Sequence, residues 1–185
     1  MALAAFKVAL IALLAANAIV YALSGTLSEA LDAIAWFALL LLFEFELKFT
    51  AWMTRPAVSA SVRLARGCAA LFIAAAAAGY VLERAWLDAI NTGLWIGVVA
   101  LLELEVRRPD IVVAKRSVVF GLSALLYGGL CVVVLAWAWR GEWFDAYDAL
   151  LWLVAFATIE LGLLRREAAG PSRSAERPAE VGDKA

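Results

Sequence analysis

Apolar residues come in six long runs, divided by polar stretches that alternate between short and long. The runs cover about 3–23, 30–49, 67–82, 89–106, 118–139 and 146–164. Several approach the ~20 residues that carry a helix across ~30 Å of hydrocarbon. They lack the period-two alternation of a membrane barrel, and helices satisfy their own backbone polar groups, as lipid requires. The pattern predicts an all-α integral membrane protein with six transmembrane helices. The connections at 24–28, 83–87 and 140–144 are short, so the runs pair into three antiparallel hairpins.

A polar stripe recurs on the second, fourth and sixth runs without gaps. It reads Glu29-x-x-Asp32-x3-Trp36-x7-Glu44, then Asp88-x-x-Asn91-x3-Trp95-x7-Glu103, then Asp145-x-x-Asp148-x3-Trp152-x7-Glu160. Shifts of 59 and 116 residues superpose the copies. Each repeat therefore holds an even number of spans, and the repeats run parallel. The expected units are hairpin 1 over 1–58, hairpin 2 over 59–117 and hairpin 3 over 118–167, arranged as a pseudo-threefold bundle, with a disordered cytoplasmic tail over 168–185. The tail is rich in Pro, Ser and charge and has too little apolar content to fold. The first run, with Lys7 ahead of its apolar centre, has the look of a secretory leader. However, the 59-residue shift also lays Lys7 on Arg66 and Tyr21 on Tyr80, and a removable leader has no reason to match an internal helix. A retained span is expected.

The longer connections, 50–66 and 107–116, share an Arg-Pro pair followed by further basic residues. Both read as interfacial loops, the first with room for some amphipathic helix, and Pro56 disfavours helix at Arg55. Of the 16 lysines and arginines, only Arg84 and Arg140 fall in the short turns. The positive-inside rule then places the turns outside and both termini in the cytoplasm of a bacterial-type inner membrane. Tyr21, Tyr80 and Trp137 occupy equivalent positions near the outer boundary, as do Trp86 and Trp143, and all five read as interfacial anchors.

At about 100° per residue the four members of each stripe share a helix sector of roughly 120°. Turned toward a common axis, they predict an outer acidic ring (Glu29, Asp32, Asp88, Asn91, Asp145, Asp148), an interior aromatic belt (Trp36, Trp95, Trp152) and an inner carboxylate set (Glu44, Glu103, Glu160) roughly 22 Å below. Two readings of the inner set stand side by side. In the structural one, Glu44–Lys48 and Glu103–Arg107 are i,i+4 ion pairs and the indoles are core packing. In the functional one, carboxylates inside a membrane form an ion or proton site. Glu46 and Glu105 point about 160° away from that set and read as boundary residues facing headgroups or another subunit. Asn17, which has Ala76 at the matching position, reads as an interhelical hydrogen-bond donor. Gly121, Gly128 and Gly129 read as points of close helix approach.

Composition narrows the chemistry. The chain is 65% apolar and 18% charged with a mean hydropathy of +0.87, against about 25% charged residues in an ordinary soluble domain. Its net charge of −1 gives no reason to expect a nucleic-acid partner. There is no histidine, which removes His-ligated haem, typical zinc hydrolases and the Ser-His-Asp triad. Cys68 and Cys131 sit in apolar runs and read as buried small hydrophobes. No nucleophile motif or phosphate loop is present. The expectation is a non-enzyme without cofactor or bound metal, partnered by the lipid bilayer and open to a protein partner in the membrane. The functional expectation is a permease or channel-like protein handling a cation or protons; the alternative is a non-catalytic accessory or assembly subunit. The plan of three two-helix repeats resembles that of the mitochondrial carriers, whose Pro-x-[Asp/Glu]-x-x-[Lys/Arg] signature is missing from the odd-numbered helices here.

Overall fold

A computed structural model describes residues 2–169, with side chains over 5–158 except Leu47 and Val106. Among these residues there is no strand. The helices are α1 Ala2–Ser24, α2 Leu27–Lys48, α3 Thr50–Met53, α4 Pro56–Glu83, α5 Trp86–Arg107, α6 Pro109–Ala114, α7 Arg116–Arg140 and α8 Trp143–Ala169. Nearly all of the tail expected over 168–185 lies outside the described residues. The first long connection is helical over most of its length. Arg55 is extended, as a residue before proline tends to be, and Pro56 then opens α4 at its first turn, where a missing N–H costs nothing. The helix runs unbroken from there into the apolar run, so it begins at Pro56 and not near Gly67.

The long helices close a ring. In order, α1 packs on α2, α2 on α4, α4 on α5, α5 on α7, α7 on α8, and α8 returns to α1. Small residues let neighbours approach. Leu126 of α7 lies over Gly97 of α5, and Leu94 of α5 lies over Gly129 of α7, so each helix offers a leucine to the other's glycine. A Cβ on Gly79 of α4 would collide with Ser28 Oγ of α2, and Ser28 itself donates to Glu83 Oε1 at 2.7 Å. Gly121 and Gly128, by contrast, have nothing within contact distance of where a side chain would start.

Polarity is inverted relative to a soluble bundle. Asn17, Ser28 and Thr92 are buried, while Val8, Leu23, Leu82, Val118 and Trp139 are largely exposed on the outside. Among the described residues, four helices are long and apolar enough to cross a membrane: Ala5–Ser24, Pro56–Glu83, Trp86–Glu105 and Arg116–Arg140. These features mark a membrane protein. The stripe residues Glu29, Asp32 and Glu44, with Glu46 and Lys48 beside them, make α2 more charged than these four. Cys68 and Cys131 are exposed. The burial expected of them from their apolar surroundings fails because in this bundle the apolar side faces outward.

Two of the tight turns use the same device. After α4, Arg84 takes a left-handed conformation (φ 61°) and the Ala85 N–H bonds the Tyr80 carbonyl at 2.9 Å. After α7, Gly141 does the same (φ 81°) and the Glu142 N–H bonds the Trp137 carbonyl at 2.9 Å. This is the Schellman closure, which favours glycine at the left-handed position. Arginine there carries a steric cost of about 1 kcal/mol. Arg84→Gly is therefore expected to raise the stability of the detergent-solubilised protein by about 0.5–1 kcal/mol, read as a higher midpoint in thermal unfolding. A variant no more stable than the parent would contradict this.

Candidate acidic-aromatic cavity

The turn end of the ring holds a cavity of about 50 Å³, partly open at its mouth. Its lining follows the stripe. The first turns of α2, α5 and α8 contribute Glu29, Asp88 and Asp145, and the next turn contributes Asp32, Asn91 and Asp148. Trp36, Trp95 and Trp152 follow one turn deeper on the same helices, and the last turns of α1, α4 and α7 add Tyr21, Tyr80 and Trp137. Nine of these twelve positions are the outer-ring and belt residues named from the sequence; the structure brings all nine to one place. The other three, the aromatics of α1, α4 and α7, belong to the same wall. Tyr80 and Trp137 are buried, so they are not the headgroup anchors expected of them. Their equivalence across the copies is the available signal, and it gives depth in the membrane without fixing rotation about the helix axis. The Schellman closures on the carbonyls of Tyr80 and Trp137 fix the backbone that carries both rings.

The spacing inside the stripe has a local cause. Residues four apart on a helix lie one above the other. Trp36 Nε1 accordingly donates to Asp32 Oδ1 at 3.0 Å, and Trp152 is likewise a hydrogen-bonding partner of Asp148. The carboxylate satisfies a buried indole N–H and turns the ring inward. Asp32 Oδ2 also accepts from Thr92 Oγ1 of α5 at 3.2 Å, and Thr92 is fully buried. Asn17 Nδ2 of α1 donates to Asp148 Oδ1 at 2.7 Å, the interhelical donor role expected of it. Tyr21 Oη donates to Asp145 Oδ1 at 2.8 Å. Glu29 serves its own helix as well. It forms a capping box with Thr26, whose N–H donates to Glu29 Oε2 at 2.6 Å. The Thr-Leu-Ser-Glu segment carries that signature in the sequence.

Below the cavity the three indoles share one packed layer, in which Phe156 links Trp152 to Trp95. Trp36 and Trp95 have centroids 6.4 Å apart, and Phe156 lies 4.6 Å from Trp95 and 6.4 Å from Trp152. Ala35, Ala69, Ile73, Val98 and Leu130 complete this layer.

The carboxylates divide into two populations. Toward the other end, Glu44 pairs with Lys7 of α1 at 3.1 Å, Glu46 with Arg66 of α4 at 2.6 Å, and Glu103 with Arg107 on its own helix. The Glu44–Lys48 pair expected from spacing is replaced by Lys7, and Lys48 lies over the Phe49 ring instead. Glu46 is turned toward α4 by its pair with Arg66. Glu44 lines a small separate pocket beside Lys7, and Glu103 is half exposed beside its arginine; the two do not meet in a shared cavity. The side chains of Glu160 and Arg165 lie outside the described residues. At the turn end the situation reverses: among the described residues, no lysine or arginine forms an ion pair with Glu29, Asp32, Asp88, Asp145 or Asp148. Also among the described residues, no three acidic or thiol side chains are grouped closely enough to hold a metal ion.

No known protein family, curated protein or solved structure matches the chain. The functional reading therefore rests on the cavity and its neighbours.

Proposed function

We propose that the chain is a small polytopic inner-membrane protein of permease or channel-like type that handles a cation or protons through its intramembrane carboxylates. In this reading α1, α2, α4, α5, α7 and α8 are six spans, forming three parallel hairpins about a pseudo-threefold axis. The tight turns face outside and both termini face the cytoplasm, as the placement of the basic residues favours. One observation carries the proposal: the outer stripe positions of three helices meet at one cavity whose five carboxylates have no basic partner among the described residues. Buried or half-buried carboxylates are costly unless something positive compensates them. A ring of acids at a membrane mouth draws cations in and excludes anions. The working carboxylates are thus the outer ones, while Glu44 and Glu103 are neutralised by their ion pairs.

A second reading, an accessory or assembly subunit of a larger membrane complex, draws on two observations. The indole layer lies beneath the cavity, and Glu44 and Glu103 are ion-paired as a purely structural role demands.

Flux in proteoliposomes separates the two. With Na⁺, K⁺, H⁺ and methylammonium offered in turn, the wild-type chain is expected to carry at least one faster than protein-free vesicles. Asp88→Asn/Asp145→Asn is expected to cut that rate about tenfold, the worth of roughly one charge-assisted hydrogen bond. Wild-type flux at the protein-free level for all four would remove the transport reading. A stoichiometric partner recovered on gentle extraction would then establish the subunit reading.

A further inference from the structure

We infer that the cavity takes an organic ammonium headgroup, a small alkylamine or quaternary ammonium, in preference to a metal ion. The inference rests on the cation-handling reading above and narrows its substrate class. Three independent features of the cavity favour this ligand.

The first is the wall. Carboxylates are interleaved with six aromatic rings in two tiers, one from the stripe tryptophans and one from α1, α4 and α7. A hard metal ion gains little from such rings and takes six or more oxygens, or several waters, at close range. An alkylammonium is attracted to ring faces and needs only one or two carboxylates to balance its charge. The grouping of acids that a metal requires does not occur among the described residues.

The second is the state of the acceptors. Asp32 has both oxygens occupied by Trp36 and Thr92, so its role is to hold the frame. Asp88, by contrast, has no lysine or arginine partner among the described residues. Asn91 stands where the other copies have aspartate, and its Oδ1 is buried without a hydrogen-bond partner. A buried carbonyl lacking a donor is expensive. A cation in the cavity supplies the positive partner that Asp88, one turn above, lacks; Asn91 Oδ1, closed even to water, is reached only if its side chain turns toward the ligand.

The third is size. The enclosed room of about 50 Å³ is far below the ~300–1,000 Å³ of a drug-sized pocket. It suits a headgroup, and the open mouth leaves space for a substituent to project outward.

The test uses the full chain in nanodiscs. Four of its eight tryptophans line the cavity, so intrinsic fluorescence reports occupancy. Methylammonium and tetramethylammonium chloride are titrated against NaCl, KCl and MgCl₂ at matched ionic strength. The expected result is a saturable change with at least one ammonium and none with the metal salts. Asp88→Asn is expected to weaken apparent affinity about tenfold, as loss of one charge contact should. Glu142→Gln, at the same end but paired with Arg140 at 3.1 Å and outside the cavity lining, is expected to keep it. A saturable response to Na⁺, K⁺ or Mg²⁺ equal to that of the ammonium ions, an Asp88→Asn curve superposing on wild type, or no ammonium response would each overturn the inference. Failure here with inorganic-cation flux intact leaves the transport reading standing. Saturable ammonium binding without flux of any kind upholds the site and removes the transport reading.

Discussion

Trp95→Ala is expected to destabilise the bundle by about 3–5 kcal/mol, the range for deleting a large buried aromatic. Trp95 is only 4% exposed and lies in the middle of the indole layer, against Trp36 on one side and Phe156 on the other. Helix association in lipid gains little from transfer out of water, so packing contacts and the avoidance of voids carry more of the stability. A hole at the centre of a ring has no neighbour positioned to fill it without tilting whole helices. Denaturant unfolding of the detergent-solubilised protein, followed by circular dichroism, measures the cost. A loss under about 1 kcal/mol would mean that the centre collapses freely, and the indole layer would then not be the structural floor of the cavity.

Asp32→Ala is expected to cost about 2–4 kcal/mol, because it strips the acceptor from two buried donors at once, each worth roughly 1–3 kcal/mol when left unsatisfied. Those donors are Trp36 Nε1 and Thr92 Oγ1. Asp32→Asn retains one acceptor oxygen and is expected to lose about half as much. Asp88→Asn, by comparison, is expected to change stability by less than about 0.5 kcal/mol, because its carboxylate accepts from backbone and an amide oxygen does the same. The same unfolding assay ranks the three. Equal losses at Asp32 and Asp88 would erase the distinction between a frame carboxylate and a ligand-facing one.

Much of the cavity was legible beforehand because repetition carries orientation. A single Asp-x3-Trp on one helix is compatible with several roles. The same spacing on three helices, each at the start of its run, made a common direction the economical expectation. Other features were hidden for physical reasons. Tyr80 and Trp137 sit near a boundary where aromatics commonly anchor in headgroups, and hydropathy gives depth without rotation about the helix axis. Arg63 and Arg66 made the start of α4 resemble a loop, although a proline at the first helical position is also a start signal. The Lys7–Glu44 pair spans 37 residues of sequence, and no spacing rule reaches that far, so the local Lys48 looked like the natural partner. The Asp32–Thr92 bond crosses from one copy of the stripe to the next, and repetition offers no hint of it, since the positions equivalent to Thr92 are alanines, Ala33 and Ala149.

The seam between α8 and α1 is the one place where the ring closes without a tight turn or short connecting helix. Asn17 and Tyr21 of α1 find their acceptors on Asp148 and Asp145 of α8, and Leu10 and Leu14 pack with Ala155. During synthesis α1 enters the bilayer well before α8 exists. Its amide and phenol then have no acceptor from the helix that will eventually supply one, and lipid provides none. The earlier of the two helices thus stays incompletely satisfied until α8 packs against it, and the cavity wall is complete only once α8 has joined the ring.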